Sequence, residues 1–145
     1  MKRRVNGFTL IELLLVLAII GIISGIAIPS FLGQRRRARN IGDAQTTAQI
    51  LRMALETYKA DNGTYGAAGT YTWTGTYGGV AATADAAATA LLPTFSTGRS
   101  QMNISLVVAA SGLTYTISMI DPSISPANTV MYETDQNGTT LVLLQ

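Results

Sequence analysis

The sequence predicts an α+β fold in which one long N-terminal helix packs against a four-stranded antiparallel sheet. Three observations predict it. Residues 13–34 form a run of 22 without a formal charge. Beyond that run, Ile41, Ala44, Ala48, Leu51, Leu55 and Tyr58 recur at spacings of 3, 4, 3, 4 and 3, which draws one stripe on one helix face. Toward the C-terminus, four apolar segments are separated by turn-forming residues.

The first element is the apolar half of the helix, residues 8–34. At about 1.5 Å per residue the uncharged run covers about 33 Å, enough for a hydrocarbon core of about 30 Å. A core helix of a soluble domain would show a polar face, and this one shows none. A secretory signal peptide has an apolar core of roughly 7–15 residues ending at a small-residue site. Here the run is longer, and its small-residue candidate at residues 25–27 lies among isoleucines. The segment is therefore expected to stay with the mature chain. Gly21 and Gly25 weaken the helix, and Pro29, lacking an amide hydrogen, is expected to kink or open it around Gly25. In lipid such a helix stays closed, because freed backbone groups find no water; surrounded by other helices, residues 21–29 are free to unwind.

Glu12 is the one charge within this half. A carboxylate near the start of a membrane helix is costly unless it meets a partner. Ahead of it stand Lys2, Arg3 and Arg4, which predict a cytoplasmic N-terminus, whereas Arg35, Arg36, Arg37 and Arg39 argue for the reverse. The N-terminal charges are expected to decide, since long polar domains translocate largely regardless of charge.

The second element, residues 35–62, continues the helix as an amphipathic spine whose stripe is expected to pack on the chain's own sheet. Asp61-Asn62-Gly63 supplies its stop. Residues 63–145 form a globular head, divided into a variable loop (63–100) and the antiparallel sheet (101–145). Within the loop, Tyr71-Thr72-Trp73-Thr74 alternates like a short strand. Residues 84–92 read as a short helix capped by Thr83 or Asp85 and ended by Pro93. The aromatics Tyr71, Trp73 and Tyr77 have no Lys or Arg nearby, so packing is favoured over stacking on nucleic acid. The expected strands are 102–110, 113–120, 129–134 and 139–144. Ser111-Gly112 is a two-residue hairpin turn and Asp135-Gln136-Asn137-Gly138 a second turn.

Charge is unevenly distributed. The net value of +2 hides +3 from Lys2, Arg3 and Arg4, +4 over residues 35–59 and −4 from residue 60 onward. A basic neck carrying an acidic head suits stacking of like subunits, or else an ordinary solvated surface. There is no cysteine and no histidine, which removes disulfides, thiol metal sites and the commonest general acid–base residue. Asp135-x-Asn137-Gly138, with Asp121 or Glu133 near, has part of a calcium loop's spacing but no downstream bidentate glutamate. No metal, cofactor or catalytic residue is assigned, and the chain is not expected to be an enzyme.

Gly7-Phe8-Thr9-Leu10-Ile11-Glu12 followed by a long apolar helix with Pro29 strongly resembles the type IV filament superfamily, the type IV pilins and the pseudopilins of type II secretion. The resemblance is tight over about residues 7–31 and covers the rest in layout only. It implies a pilin-like fold and a leader, residues 1–7, cut by a prepilin peptidase between Gly7 and Phe8. It also implies N-methylation of Phe8 and an assembly role for Glu12, with Gly21 and Pro29 as the family's helix weak points. The new amine on Phe8 would meet the Glu12 carboxylate of a neighbouring subunit, so that two costly groups compensate one another.

The expected function is that of a major pilin, held in the inner membrane as a single-pass protein and polymerised with itself into an extracellular filament. By resemblance its other partners are the prepilin peptidase, an inner-membrane platform with its ATPase, and an outer-membrane secretin. No nucleic acid is expected as a partner, because the head is acidic. A type II secretion pseudopilin is the alternative, and a minor tip pilin acting as a receptor is a third reading. The family's pseudopilins tend to carry a shorter loop after the spine and a clearer calcium loop than this chain does.

Overall fold

The computed structural model describes residues 7–75, 82–98, 101–122 and 129–143, with residues 29, 30 and 143 in backbone alone. Lys2, Arg3, Arg4 and Tyr77 lie outside the described residues. The chain divides into two units, Met1–Ala38 and Arg39–Gln145. Helix α1, Leu10–Asn62, contributes to both.

In the first unit the described residues of α1 form an apolar helix with its side chains in the open; Leu10, Ile11, Ile22 and Ile26 are all more than two-thirds exposed. It is long and apolar enough to cross a membrane. The assigned helix runs unbroken through Gly21, Gly25 and the backbone of Pro29, so the expected opening near Gly25 is not a property of the isolated chain. Helical backbone satisfies its own hydrogen bonds, and proline removes only one of them.

The second unit is the head. The 3-4-3-4-3 stripe delivers Ala44, Ala48, Leu51 and Leu55 to full burial, with Ile41 and Tyr58 partly buried beside them. Each buried leucine contributes roughly 1.5–3 kcal/mol relative to exposure. The stop operates as its residues suggest: α1 ends at Asn62, Gly63 takes φ +79°, and its amide donates to the Lys59 carbonyl at 2.7 Å.

Opposite the stripe lies one antiparallel sheet of six strands, in the order β2-β1-β3-β4-β5-β6. They are β1 (Gly69–Thr74), β2 (Thr83–Ala84), β3 (Asn103–Val108), β4 (Tyr115–Ile120), β5 (Val130–Asp135) and β6 (Thr140–Leu143). The sheet is wider than the expected four strands because the edge of β3 is taken by β1, which brings β2 with it. The register explains the burial. One core row runs Tyr71, Leu106, Ile117, Thr134; the next runs Trp73, Ile104, Met119, Tyr132. In β5 the consecutive residues Met131 and Tyr132 are both buried. A register shift at Met119/Ile120 leaves Met131 as the extra residue, and a bulge of this kind turns two neighbours to one face.

The turn at Ser111-Gly112 is longer than a two-residue hairpin. Ala109 N–H donates to the Thr114 carbonyl at 3.0 Å and Gly112 N–H to the Ala109 carbonyl at 2.9 Å, so β4 starts at Tyr115 and Leu113 stays exposed. The cause is tertiary: the Gly112 carbonyl accepts from Tyr65 N–H at 2.8 Å, which ties the loop to the segment leaving α1. Helix α2, Ala86–Leu91, has Asp85 as its N-cap. The Asp85 carboxylate accepts from Ala88 N–H at 2.6 Å and from the Thr72 amide and hydroxyl at 3.1 and 2.7 Å, joining α2 to β1.

Candidate functional site at the helix start

Residues 7–9 are non-helical, and α1 begins at Leu10. Thr9 is therefore placed at the N-cap. Its hydroxyl accepts from the Glu12 amide at 3.4 Å, while Glu12 Oε2 accepts from the Thr9 amide at 2.9 Å and the Thr9 hydroxyl at 2.7 Å. This reciprocal arrangement is a capping box, which satisfies donors that a helix start otherwise leaves unpaired. The carboxylate also stands at the positive end of the helix dipole.

Glu12 thus has a partner inside its own chain, and Thr9 is the functional residue that a reading centred on charge passes over. The signal was in the sequence: Thr-x-x-Glu at the head of an apolar run. Ahead of the cap, Phe8 is 81% exposed and a side-chain carbon added at Gly7 would meet nothing within 4 Å. The Gly7–Phe8 peptide bond accordingly lies in open, irregular backbone, the form of substrate an endopeptidase can engage. Gly21 and Gly25 are likewise open, one helical turn apart, with no atom within 4 Å of an added side-chain carbon. For Pro29 the described backbone alone is helical.

In the head, the acidic residues do not converge. Asp121 accepts from Asn40 Nδ2 at 2.5 Å, and Glu133 accepts from the Ser118 hydroxyl at 3.2 Å. Asp135 Oδ1 is taken by the amides of Asn137 at 3.0 Å and Thr139 at 2.8 Å. Partial burial works against ionisation of Asp135, yet the Thr139 and Asn137 amides outweigh it and hold its carboxyl below the ordinary carboxylate range. Among the described residues no group of three potential ligands comes together. Tyr71 and Trp73 are buried in the sheet core, the Trp73 ring edge-on to Phe95 at 5.4 Å.

A second polar cluster joins α1 to the sheet. The Tyr65 hydroxyl donates to Glu56 at 2.7 Å and accepts from Lys59 at 3.2 Å, and its ring meets Tyr115 edge-on at 4.6 Å. Burial pushes both tyrosines up to about 12, helped at Tyr65 by the Glu56 carboxylate and opposed at Tyr115 by Arg52.

Comparison with known proteins returns to the helix start. The model of the prokaryotic N-terminal methylation motif matches residues 2–28. The type II secretion system core protein G of Aeromonas hydrophila is 38% identical over 64 residues, 44% of each chain. The type IV wide pilus major component of Thermus thermophilus is 43% identical over 65 residues, 43% of this chain and 47% of that one. The type IV major pilin of Myxococcus xanthus is 40% identical over 62 residues, 43% of this chain and 28% of that one. The matched part spans less than half the length of these curated relatives. No solved structure matches the chain. With the methylation motif at its N-terminus, a long helix and an antiparallel sheet, the chain is similar to the pilins and pseudopilins of the type IV filament superfamily, and the match in sequence lies in its N-terminal part.

Proposed function

We propose that this chain is the major structural subunit of a type IV pilus, with no catalytic role. A prepilin peptidase cuts between Gly7 and Phe8, and Phe8 is then methylated. The subunit waits in the inner membrane with its N-terminus cytoplasmic. An assembly platform with its ATPase polymerises it through α1 into a filament that leaves through an outer-membrane secretin and serves adhesion, motility or DNA uptake.

The observation that carries this reading is an open apolar helix with its one carboxylate at the start, immediately behind an exposed Gly7–Phe8 bond. Such a helix is stable only in lipid or against other such helices. Both environments belong to a filament subunit, one before assembly and one after. Cutting creates an amine on Phe8 and a partner for the Glu12 carboxylate of a neighbour, which favours one register over arbitrary packing.

The names of the type II secretion relatives favour a second reading, a pseudopilin. Two features of the head support the pilin instead. The segment after α1 is long and builds two strands and a helix, and the Asp135 carboxylate is consumed by its own turn rather than offered to a cation. The test is Glu12→Val expressed beside the wild-type chain. The variant is expected to insert in the membrane and to be missing from filaments collected from the cell surface. Variant incorporated at the wild-type level would refute the pairing, and surface fibres unchanged by deletion of the gene would refute the pilus.

A further inference from the structure

We propose that Asn137 is an acceptor site for an N-linked glycan, taking an oligosaccharide from a polyprenyl-pyrophosphate carrier. The inference rests on the membrane-anchored reading above, which carries the head across the membrane. Asparagine can accept a glycan where Ser or Thr stands two positions on and the residue between is not Pro. The sequence offers three such sites: Asn62-Gly63-Thr64, Asn103-Ile104-Ser105 and Asn137-Gly138-Thr139. The structure separates them. Asn62 is the last residue of α1, and its side-chain nitrogen, the atom that would take the sugar, donates to the Tyr58 carbonyl at 2.9 Å. Asn103 is partly buried at the start of β3, and its Oδ1 accepts from Gly75 N–H at 2.8 Å. Asn137 is exposed, and among the described residues nothing engages its side-chain amide; only its backbone N–H is used, on Asp135 Oδ1 at 3.0 Å.

The turn between β5 and β6 presents this amide at its tip. Asp135 Oδ1 accepts from the Asn137 and Thr139 amides, and Gly138 N–H donates to the Asp135 carbonyl at 3.0 Å. These bonds close the loop at its base through backbone donors, so the Asn137 side chain is not needed to hold it. Gly138 lies against the Arg52 guanidinium with no room for a side chain, whereas Asn137 and Thr139 on either side of it are both exposed. Asp135 also sets a carboxylate two residues ahead of the acceptor, a charge that a basic groove on the transferring enzyme can recognise. In the transfer the Asn137 side-chain nitrogen bonds to C1 of the reducing-end sugar and gives one proton to a base on the enzyme. The C1–O bond to the pyrophosphate breaks with its electron pair, and the carrier leaves as the polyprenyl pyrophosphate. A glycan rooted here stands beside β6, the last strand of the sheet, where Leu141 and Val142 are exposed. A bulky polar cover at such an edge discourages pairing with another sheet.

The test is the intact mass of the full chain, recovered in detergent from the cells that express it natively, with fragmentation to place any added mass. The expected result is a surplus equal to a whole number of sugar residues, carried by Asn137. Asn137→Gln and Thr139→Ala should each lose that surplus in full, whereas Thr139→Ser, which restores a hydroxyl, should keep it. Asn62→Gln and Asn103→Gln should leave it unchanged. Thr139→Ala retains the backbone amide that Asp135 accepts, and emission from the buried Trp73 reports whether each variant is folded. A wild-type chain without the surplus, a surplus that survives Asn137→Gln in the folded protein, or sugar carried by Asn62 or Asn103 instead overturns the proposal. Protease added outside spheroplasts separates this claim from the reading beneath it. A head protected inside the cell refutes the membrane reading and the acceptor site together, whereas a digested head on a chain without the surplus refutes the acceptor site alone.

Discussion

Replacing Gly138 by alanine should destabilise the head in a way that depends on Arg52, eighty-odd residues earlier. Gly138 sits at φ +81°, and a side-chain carbon built there falls 2.6–3.0 Å from the Arg52 guanidinium. That guanidinium donates to the Gln136 carbonyl at 3.3 Å and carries its Nε buried without a partner. Two costs are expected. The left-handed backbone costs alanine about 1–2 kcal/mol, and displacing the guanidinium forfeits a charged hydrogen bond of about 1.5 kcal/mol, together about 2.5–3.5 kcal/mol. In an Arg52→Ala background only the backbone cost remains, so the cycle should return a coupling of about 1.5 kcal/mol. The assay is urea unfolding of the full chain in detergent, followed by the fluorescence of Trp73, the single tryptophan and a buried one. Equal costs in both backgrounds would refute the contact. A cost under about 0.5 kcal/mol in both would refute the claim that the turn needs a left-handed residue.

Gly7→Leu should leave an uncut precursor, visible as a chain heavier by the leader in intact-mass measurement; normal cutting would remove the processing claim. Above the ordinary tyrosine value of 10, the unfolded chain ionises Tyr65 and Tyr115 while the folded chain holds both protonated to about 12. Stability should therefore be unchanged by these groups below pH 10 and fall between pH 10 and 12, with tyrosinate absorbance and circular dichroism changing together. Absorbance rising in that window with the fold intact would contradict their burial. At Asp85 the Ala88 amide, then the Thr72 hydroxyl, hold the carboxyl below its ordinary value of 3.8, so its contribution is full above that pH and is lost as pH falls through the lower folded value. Asp85→Ala should cost about 1–2 kcal/mol at neutral pH, the range for a lost N-cap, and a cost near zero would show that α2 does not depend on it.

Local periodicity made much of this molecule legible. The stripe from Ile41 to Tyr58, the stop at Gly63 and the alternation of Tyr115, Ile117 and Met119 each depend on near neighbours, and each is found in the structure. What the sequence did not disclose depends on distant partners. The turn after β3 is lengthened by the Tyr65 amide, and the width of the sheet follows from an unclaimed edge on β3. Asp121, Glu133 and Asp135, whose partial calcium-loop spacing carried no metal assignment, each hold a protein donor: Asn40, Ser118, and the Asn137 and Thr139 amides. The Thr9 cap is a different case, since its spacing is local and readable; the apolar surroundings of Glu12 drew attention to its charge and away from its geometry.

That cap has a consequence for denticity. Both bonds from Thr9 fall on Glu12 Oε2, and among the described residues none falls on Oε1. The two oxygens of one carboxylate can therefore divide their labour, Oε2 finishing the helix it belongs to and Oε1 receiving a cation from outside. On the proposed pairing, a joining subunit would not have to unravel the end of its neighbour's helix in order to bind it. The carboxylate is oriented by its own chain before any partner arrives.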